Sequence, residues 1–208
     1  MLNISMNNIF LNSNHTAETT PYQRGSALFL KAIDVVFKHE GYYSNDKDDP
    51  GGATKYGWSL RAAQNAGDLD LDGILDFDID GDGDIDIEDI KALDMDDAKR
   101  LYKIHYWDLY GYEELPEIIA IKTFDLAVVM GARQAHKLLQ RAVRSANHPQ
   151  IADDGIIGSQ TLKAVQSCEK SELIAALRSE AAGFFRLLVN IRPRSKKYLN
   201  GWLNRAYF

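Results

Sequence analysis

The chain has 208 residues, one cysteine and a formal net charge of −6. That length supports one substantial domain or two small ones, the lone thiol of Cys168 excludes an internal disulfide framework, and no apolar run approaches the length of a membrane span. The charge is unevenly spread: Asp68 to Asp97 holds 14 acidic side chains and one basic one, a block of −13, which leaves +7 on the rest of the chain.

Met1 to Arg24 is rich in Asn, Ser and Thr and lacks the charged start and apolar stretch of a secretory signal, so residues 1–24 read as a flexible tail. Ser26 to His39 has apolar residues at helical spacing, among them Leu28, Ile33, Val36 and Phe37, and Gly41 ends the helix. Tyr42 to Gly57 has turn formers and no helical period, which predicts a short hairpin or compact loop. Ser59 caps a short helix, Leu60 to Ala66, and the acidic block follows. Asp94 and Asp97 form a cap-like pair ahead of a helix over Ala98 to Tyr110. Pro116 suits the first turn of the next helix, to about Met130, with Gly131 at its end. Ala132 to Ser145 continues as helix, Asp153 to Gly158 turns, Ser159 opens another helix, and Ser171 to Ile191 and Lys196 to Tyr207 complete the chain. The fold class expected is mainly α, with a small β-hairpin region. Ala181 to Phe208 has six basic residues and no acidic one. A basic surface of this kind suits an anionic wall or outer-membrane partner, and equally describes a solvated helix face.

Residues 39 to 58 read His-Glu-Gly-Tyr-Tyr-Ser-Asn-Asp-Lys-Asp-Asp-Pro-Gly-Gly-Ala-Thr-Lys-Tyr-Gly-Trp. One carboxylate, Glu40, closes an apolar helix and faces a turn-rich loop. Cleavage of a sugar polymer needs such a layout: an acid that keeps its proton because apolar groups surround it, and an opposing group that guides water or steadies the oxocarbenium-like transition state. Val36 and Phe37, one turn before Glu40, offer the apolar setting. Gly51 and Gly52 let backbone approach a sugar, and Tyr56, Tyr102, Tyr106 and Trp107 are aromatic candidates for stacking on it, against the alternative that they are core.

The segment resembles the signature of glycoside hydrolase family 108, a group of phage and prophage muramidases, in its Glu-Gly, Asn-Asp, Asp-x-Gly-Gly-x-Thr and Tyr-Gly steps. Tyr42 stands where a second glycine is common and Trp58 where isoleucine is common. The resemblance implies that Glu40 is the general acid. By analogy with the Glu, Asp and Thr of phage-type lysozymes, Asp49 and Thr54 position water. Asp46 and Asp48 read more simply as turn residues. Phe124-Asp125-Leu126-Ala127, Gly131, Leu139-Gln140, Asp154-Gly155-Ile156-Ile157-Gly158 and Thr161-Leu162 resemble the peptidoglycan-binding half that follows this family's catalytic segment. The organisation implied is a lysozyme-like α+β catalytic domain over 25–120 and a helical peptidoglycan-binding part over 121–208.

Asp78, Asp80, Asp82, Gly83, Asp84, Ile85, Asp86 and Asp89 stand at the first, third, fifth, sixth, seventh, eighth, ninth and twelfth positions of an EF-hand-like calcium loop, with Asp84 offering its carbonyl. Asp68, Asp70, Asp72 and Gly73 begin the same pattern, but Ile79 falls at position twelve, so this stretch is either a half site sharing Asp76 or Asp78 with its neighbour or a solvated acidic turn. One structural calcium ion is expected over 68–89, a second is open, and no organic cofactor is expected. The reading as a whole is an endolysin that hydrolyses the N-acetylmuramic acid to N-acetylglucosamine bond of bacterial peptidoglycan, made in the host cytoplasm and acting in the wall. Peptidoglycan is the partner, nucleic acid is not, and a monomer is the default. The rivals are a lytic transglycosylase on the same bond, a non-catalytic calcium-dependent wall-binding module and, last, an EF-hand regulator that opens a helix pair on binding calcium.

Overall fold

The computed structural model describes residues 26–39, 43–44 and 53–208; the tail expected at 1–24 lies outside them. Helix α1 (Ala27–His39) starts where Ser26 Oγ accepts the Phe29 N–H at 3.0 Å. It buries Phe29, Ala32, Ile33 and Val36, the one-face spacing of an amphipathic helix. Lys38 and His39 occupy its last turn, where positive charge complements the helix dipole.

The β region is an antiparallel sheet in the order β1 (Tyr43–Ser44), β2 (Thr54–Lys55), β3 (Trp58–Ser59), with Ser44 opposite Thr54 and Lys55 opposite Trp58. Tyr56 and Gly57 make the two-residue turn between β2 and β3, both at positive φ (51° and 84°), as the twist of a tight hairpin requires. A tyrosine there is strained. Its carbonyl accepts a hydrogen bond from the Tyr102 hydroxyl at 3.0 Å, and its ring lies 6.0 Å from that of Phe37. Ser59 caps α2 (Leu60–Ala63), accepting the Ala62 N–H as its sequence position suggests.

Helix α3 (Ile87–Ala92) rises inside the acidic block, where the sequence pattern gave only a loop. Asp86 and Asp89 close a reciprocal capping box at its start, and Asp94 and Asp97 repeat the device at α4 (Met95–Tyr102). The helix predicted over 98–110 is in fact α4 running into a π-helical segment, Lys103–Asp108. Helices α5 (Glu117–Met130) and α6 (Ala132–Ser145) keep the predicted bounds, followed by α7 (Ser159–Ser167), α8 (Lys170–Ile191) and α9 (Leu199–Tyr207). The fold is mainly α. No helix among the described residues is long and apolar enough to cross a membrane.

Helix α5 is the axis of the molecule. It packs on α1 on one side and on α6 and α8 on the other, and it buries Ile119, Phe124, Leu126 and Ala127 with the polar Lys122, Thr123 and Asp125. The expected division at 120/121 therefore falls inside this helix, whose faces serve both halves. Around Phe124 gather Phe29, Tyr102, Trp107 and Tyr112, with ring centroids 5.5 to 6.4 Å from its own, Tyr102 and Trp107 edge-on and Phe29 and Tyr112 tilted, arrangements aromatic quadrupoles favour over a face-to-face sandwich. Beside them His136 of α6 is buried. Its Nδ1 donates to the Gly155 carbonyl at 3.0 Å, so its Nε2 is left to accept from the Tyr112 hydroxyl at 2.7 Å. Burial holds the His136 pKa below its ordinary value and pushes that of Tyr112 well up, which keeps both neutral and the link intact.

Candidate active site and acidic loops

The carboxyl end of α1 is held by a buried ionic cluster. Asp125 on α5 is fully buried. Its Oδ1 lies 3.1 Å from His39 Nδ1 and accepts from Arg205 Nε of α9 at 2.8 Å, while Lys122 Nζ lies 3.8 Å from Oδ2 and donates to the Arg205 carbonyl at 2.6 Å. Burial lowers the Lys122 pKa to about 8, against the pull of Asp125. The Phe208 ring stands edge-on to His39 at 5.3 Å. His39 is the last residue of α1, and Glu40 follows it directly in the chain. Glu40 itself, with Asp46, Asp48, Asp49, Gly51 and Gly52, lies outside the described residues.

Of the remaining sequence candidates, Thr54 on β2 and Tyr56 in the adjoining turn are partly exposed, and Lys55 reaches across to donate to the Lys91 carbonyl of α3 at 2.6 Å. Tyr102 and Trp107 require a correction. Each is 1% exposed. The Tyr102 hydroxyl is spent on the Tyr56 carbonyl, and Trp107 donates its indole N–H to Glu113 at 2.9 Å. Both rings sit in the aromatic core around Phe124, with no face left for a pyranose, because the helical period that made them visible points them at α5 rather than outward. Trp58 is buried too, against Phe77 at 4.8 Å and Tyr102 at 4.9 Å.

Phe77 is a residue that sequence reasoning missed. It stands in the middle of the acidic block, fully buried, and pins the block to Trp58 and His105. Either side of it, the chain forms two loops with the same internal hydrogen bonds. In the second loop Gly83 N–H donates to Asp78 Oδ2 (3.1 Å), Asp84 N–H to Asp82 Oδ1 (3.1 Å), and Ile79 N–H to Asp89 Oδ1 (2.7 Å). In the first, Gly73 N–H donates to Asp68 Oδ2 (2.9 Å), Ile74 N–H to Asp72 Oδ1 (2.9 Å), and Leu69 N–H to Asp76 Oδ2 (2.9 Å). Asp76, at the ninth position of its loop, thus takes the part that Asp89 takes at the twelfth of the other, and the first loop closes without Ile79.

Carboxylate oxygens of Asp78, Asp80 and Asp89 lie within 4.8 Å of one another, as do those of Asp84, Asp86 and Asp89 and those of Asp68, Asp70 and Asp76. Asp84 thus brings its side chain, beyond the carbonyl expected of it, while Asp72 and Asp82 stand outside these groups and fasten the turns. Asp89 and Asp76 are buried, at 1% and 4% exposure. His105 Nε2 lies 2.9 Å from Asp76 Oδ2, and Arg100 donates to the Asp76 carbonyl at 2.9 Å. The carboxyl pKa of Asp84 is raised above the ordinary range, first by neighbouring Asp82; those of Asp70 and Asp80 are raised first by desolvation, then by their neighbours. The loops therefore hold more negative charge than they neutralise internally.

Residues 33–131 match the Glycosyl hydrolase 108 family model, and residues 134–207 match the Predicted Peptidoglycan domain model. The segment 33–131 belongs to glycosyl hydrolase family 108. The chain is thus a glycoside hydrolase with a peptidoglycan-binding part C-terminal to it, the pairing of a cell-wall lytic enzyme. Among solved structures it is similar to that of Brucella abortus SagA, at 27% identity and a TM-score of 0.64, covering 86% of this chain and 88% of that one. No curated protein matches. The buried cluster at Asp125 joins the two matched segments, since His39 belongs to the first and Arg205 to the second.

Proposed function

We propose that the enzyme hydrolyses the β-1,4 bond between N-acetylmuramic acid and N-acetylglucosamine in bacterial peptidoglycan, with Glu40 as the general acid. The observation that carries this reading is the family-108 match over a segment whose first helix, α1, is rigidly anchored up to the residue before Glu40. A proton donor that follows directly on an anchored helix leaves less ordering to be done before its proton reaches the bridging oxygen. Thr54, across on the partly exposed β2 strand, and Asp49 are the candidates for orienting the attacking water. Tyr56 and Tyr106, both partly exposed, are the aromatic candidates that are not buried in the core. Phage-type delivery from a host cytoplasm to the wall belongs to the same reading.

The acidic loops fit calcium as a structural brace. Hard oxygen donors are what calcium takes, and a divalent cation relieves carboxylates that repel one another. Asp78, Asp80, Asp84, Asp86 and Asp89 would hold one ion and Asp68, Asp70 and Asp76 a second. The support is the convergence of oxygens in the groups Asp78–Asp80–Asp89, Asp84–Asp86–Asp89 and Asp68–Asp70–Asp76.

Glu40→Gln tests the assignment. Release of reducing ends from purified sacculi falls by about a hundredfold or more, with the melting temperature kept. The outcome expected from mass analysis of the wild-type digest is hydrated reducing ends. Anhydro ends would instead mean a transglycosylase, and a fully active Glu40→Gln would remove Glu40 from the chemistry.

A further inference from the structure

We propose that Asp125 is a positioning residue for the reaction: through His39 it fixes the carboxyl end of α1 on which Glu40 follows, and through Arg205 it makes that fixture depend on the seating of the C-terminal helix α9. The inference rests on the reading of Glu40 as the acid.

The geometry is specific. A carboxylate only accepts, so His39 Nδ1 at 3.1 Å donates to Asp125 Oδ1, the oxygen that also takes the Arg205 Nε–H at 2.8 Å. One oxygen therefore ties residue 39 to residue 205. Lys122, one turn before Asp125 on α5, holds the same α9 backbone by donating to the Arg205 carbonyl at 2.6 Å, and Arg178 of α8 donates to the Phe208 carbonyl at 3.0 Å. Phe208 closes over the cluster, edge-on to His39 and beneath the Lys122 ammonium at 5.5 Å. Helix α5 and the chain end after α9 thus meet at the final residue of α1, and α8 holds that chain end through Arg178.

Energetics favour a positional purpose over a stabilising one. Burying a carboxylate with two cations returns little net stability, because desolvation offsets the attraction, and an apolar cluster of similar size does as well. An ionic cluster does set direction. It has one arrangement in which its hydrogen bonds are made, whereas apolar side chains slide. A general acid misplaced by about 1 Å costs on the order of a hundredfold in rate, so direction at this point matters more than strength. The His39 side chain is 24% exposed, so little core packing rides on it.

The test uses the full chain on purified sacculi, with kcat and KM followed by reducing ends, wall binding by pelleting, and the melting temperature. His39→Ala lowers kcat by about ten- to a hundredfold while KM, wall binding and melting temperature stay near wild type. His39→Asn, whose amide can present a donor where the imidazole did, recovers most of the rate. Asp125→Asn behaves as His39→Ala if it folds, and the His39 pair decides the matter if it does not. A His39→Ala enzyme with normal kcat overturns the proposal, and so does a His39→Asn enzyme as damaged as the alanine variant. Glu40→Gln measured alongside separates the two readings. If it is inactive while His39→Ala is fully active, only the positioning role fails; if it is active, the acid assignment fails.

Discussion

Gly155 offers the sharpest quantitative test of how the C-terminal half is built. It sits at φ +83°, and a Cβ there would stand 2.6 Å from Arg133 Cγ and 2.8 Å from the Arg133 carbonyl oxygen. The side chain of Arg133 can swing away, but its carbonyl belongs to α6 and cannot. Gly155 is also bonded at both ends, its N–H donating to Gln140 Oε1 at 2.8 Å and its carbonyl accepting from the buried His136, so the turn cannot back off without breaking one of these. Positive φ alone costs an alanine about 1 kcal/mol, and forcing the turn outward adds roughly 2 kcal/mol for overpacking. The sum of about 3 kcal/mol predicts a melting temperature lower by about 6–12 °C in a domain of this size. Two controls calibrate it by differential scanning fluorimetry. Gly111→Ala, at φ +63° with only Glu114 Oε1 at an ordinary 3.5 Å, drops by about 2–4 °C. Gly158→Ala, with nothing within 4 Å of the added carbon, changes little. If Gly155→Ala melts no lower than Gly111→Ala, the tight approach to Arg133 is not a constraint and the reasoning fails.

Two further perturbations follow from the charged regions. Removing calcium from the loop closed by Asp89 lowers the melting temperature by about 5–10 °C from its value at a hundredfold excess of calcium over the dissociation constant, about 2.7 kcal/mol of binding linkage for one site, and Asp89→Ala removes that site's share of the response; equal melting curves in chelator and calcium would remove the brace. Lys122 has a folded pKa of about 8, below the 10.5 of an exposed lysine. Its charged form is therefore a burden in full below pH 8, and the burden lifts as pH rises towards 10.5. Relative to Lys122→Met, the wild type should gain up to roughly 3 kcal/mol across that window, and a stability difference that stays constant from pH 7 to 10.5 would contradict the burial.

The helices were legible where their buried faces are apolar and their ends carry standard signals. Ser59 and the Asp94–Asp97 box could be read directly, and α6 needed only its apolar period and the glycine before it. What could not be read is what depends on convergence across the chain. Asp125 was visible as part of a motif, but its meaning needs His39 and Arg205, each some eighty residues away. Tyr102 and Trp107 look the same on a helix whether they face sugar or Phe124. Asp76 was in view as a shared ligand, but a template that counts to twelve hid its part in closure, since the shorter loop closes at nine. Phe77, one apolar residue among aspartates, carries no local sign that it reaches Trp58.

The Tyr112–His136–Gly155 link has a practical consequence for anyone recombining this enzyme with its relatives. The boundary between the two family matches, at residues 131 and 134, looks like a natural place to cut. Yet a hydroxyl from the first segment, an imidazole from the second and a carbonyl beyond it are bonded in series across that boundary. A chimera joined there inherits half of a lock, and will need a donor chosen for the same tyrosine and histidine, or both partners grafted together.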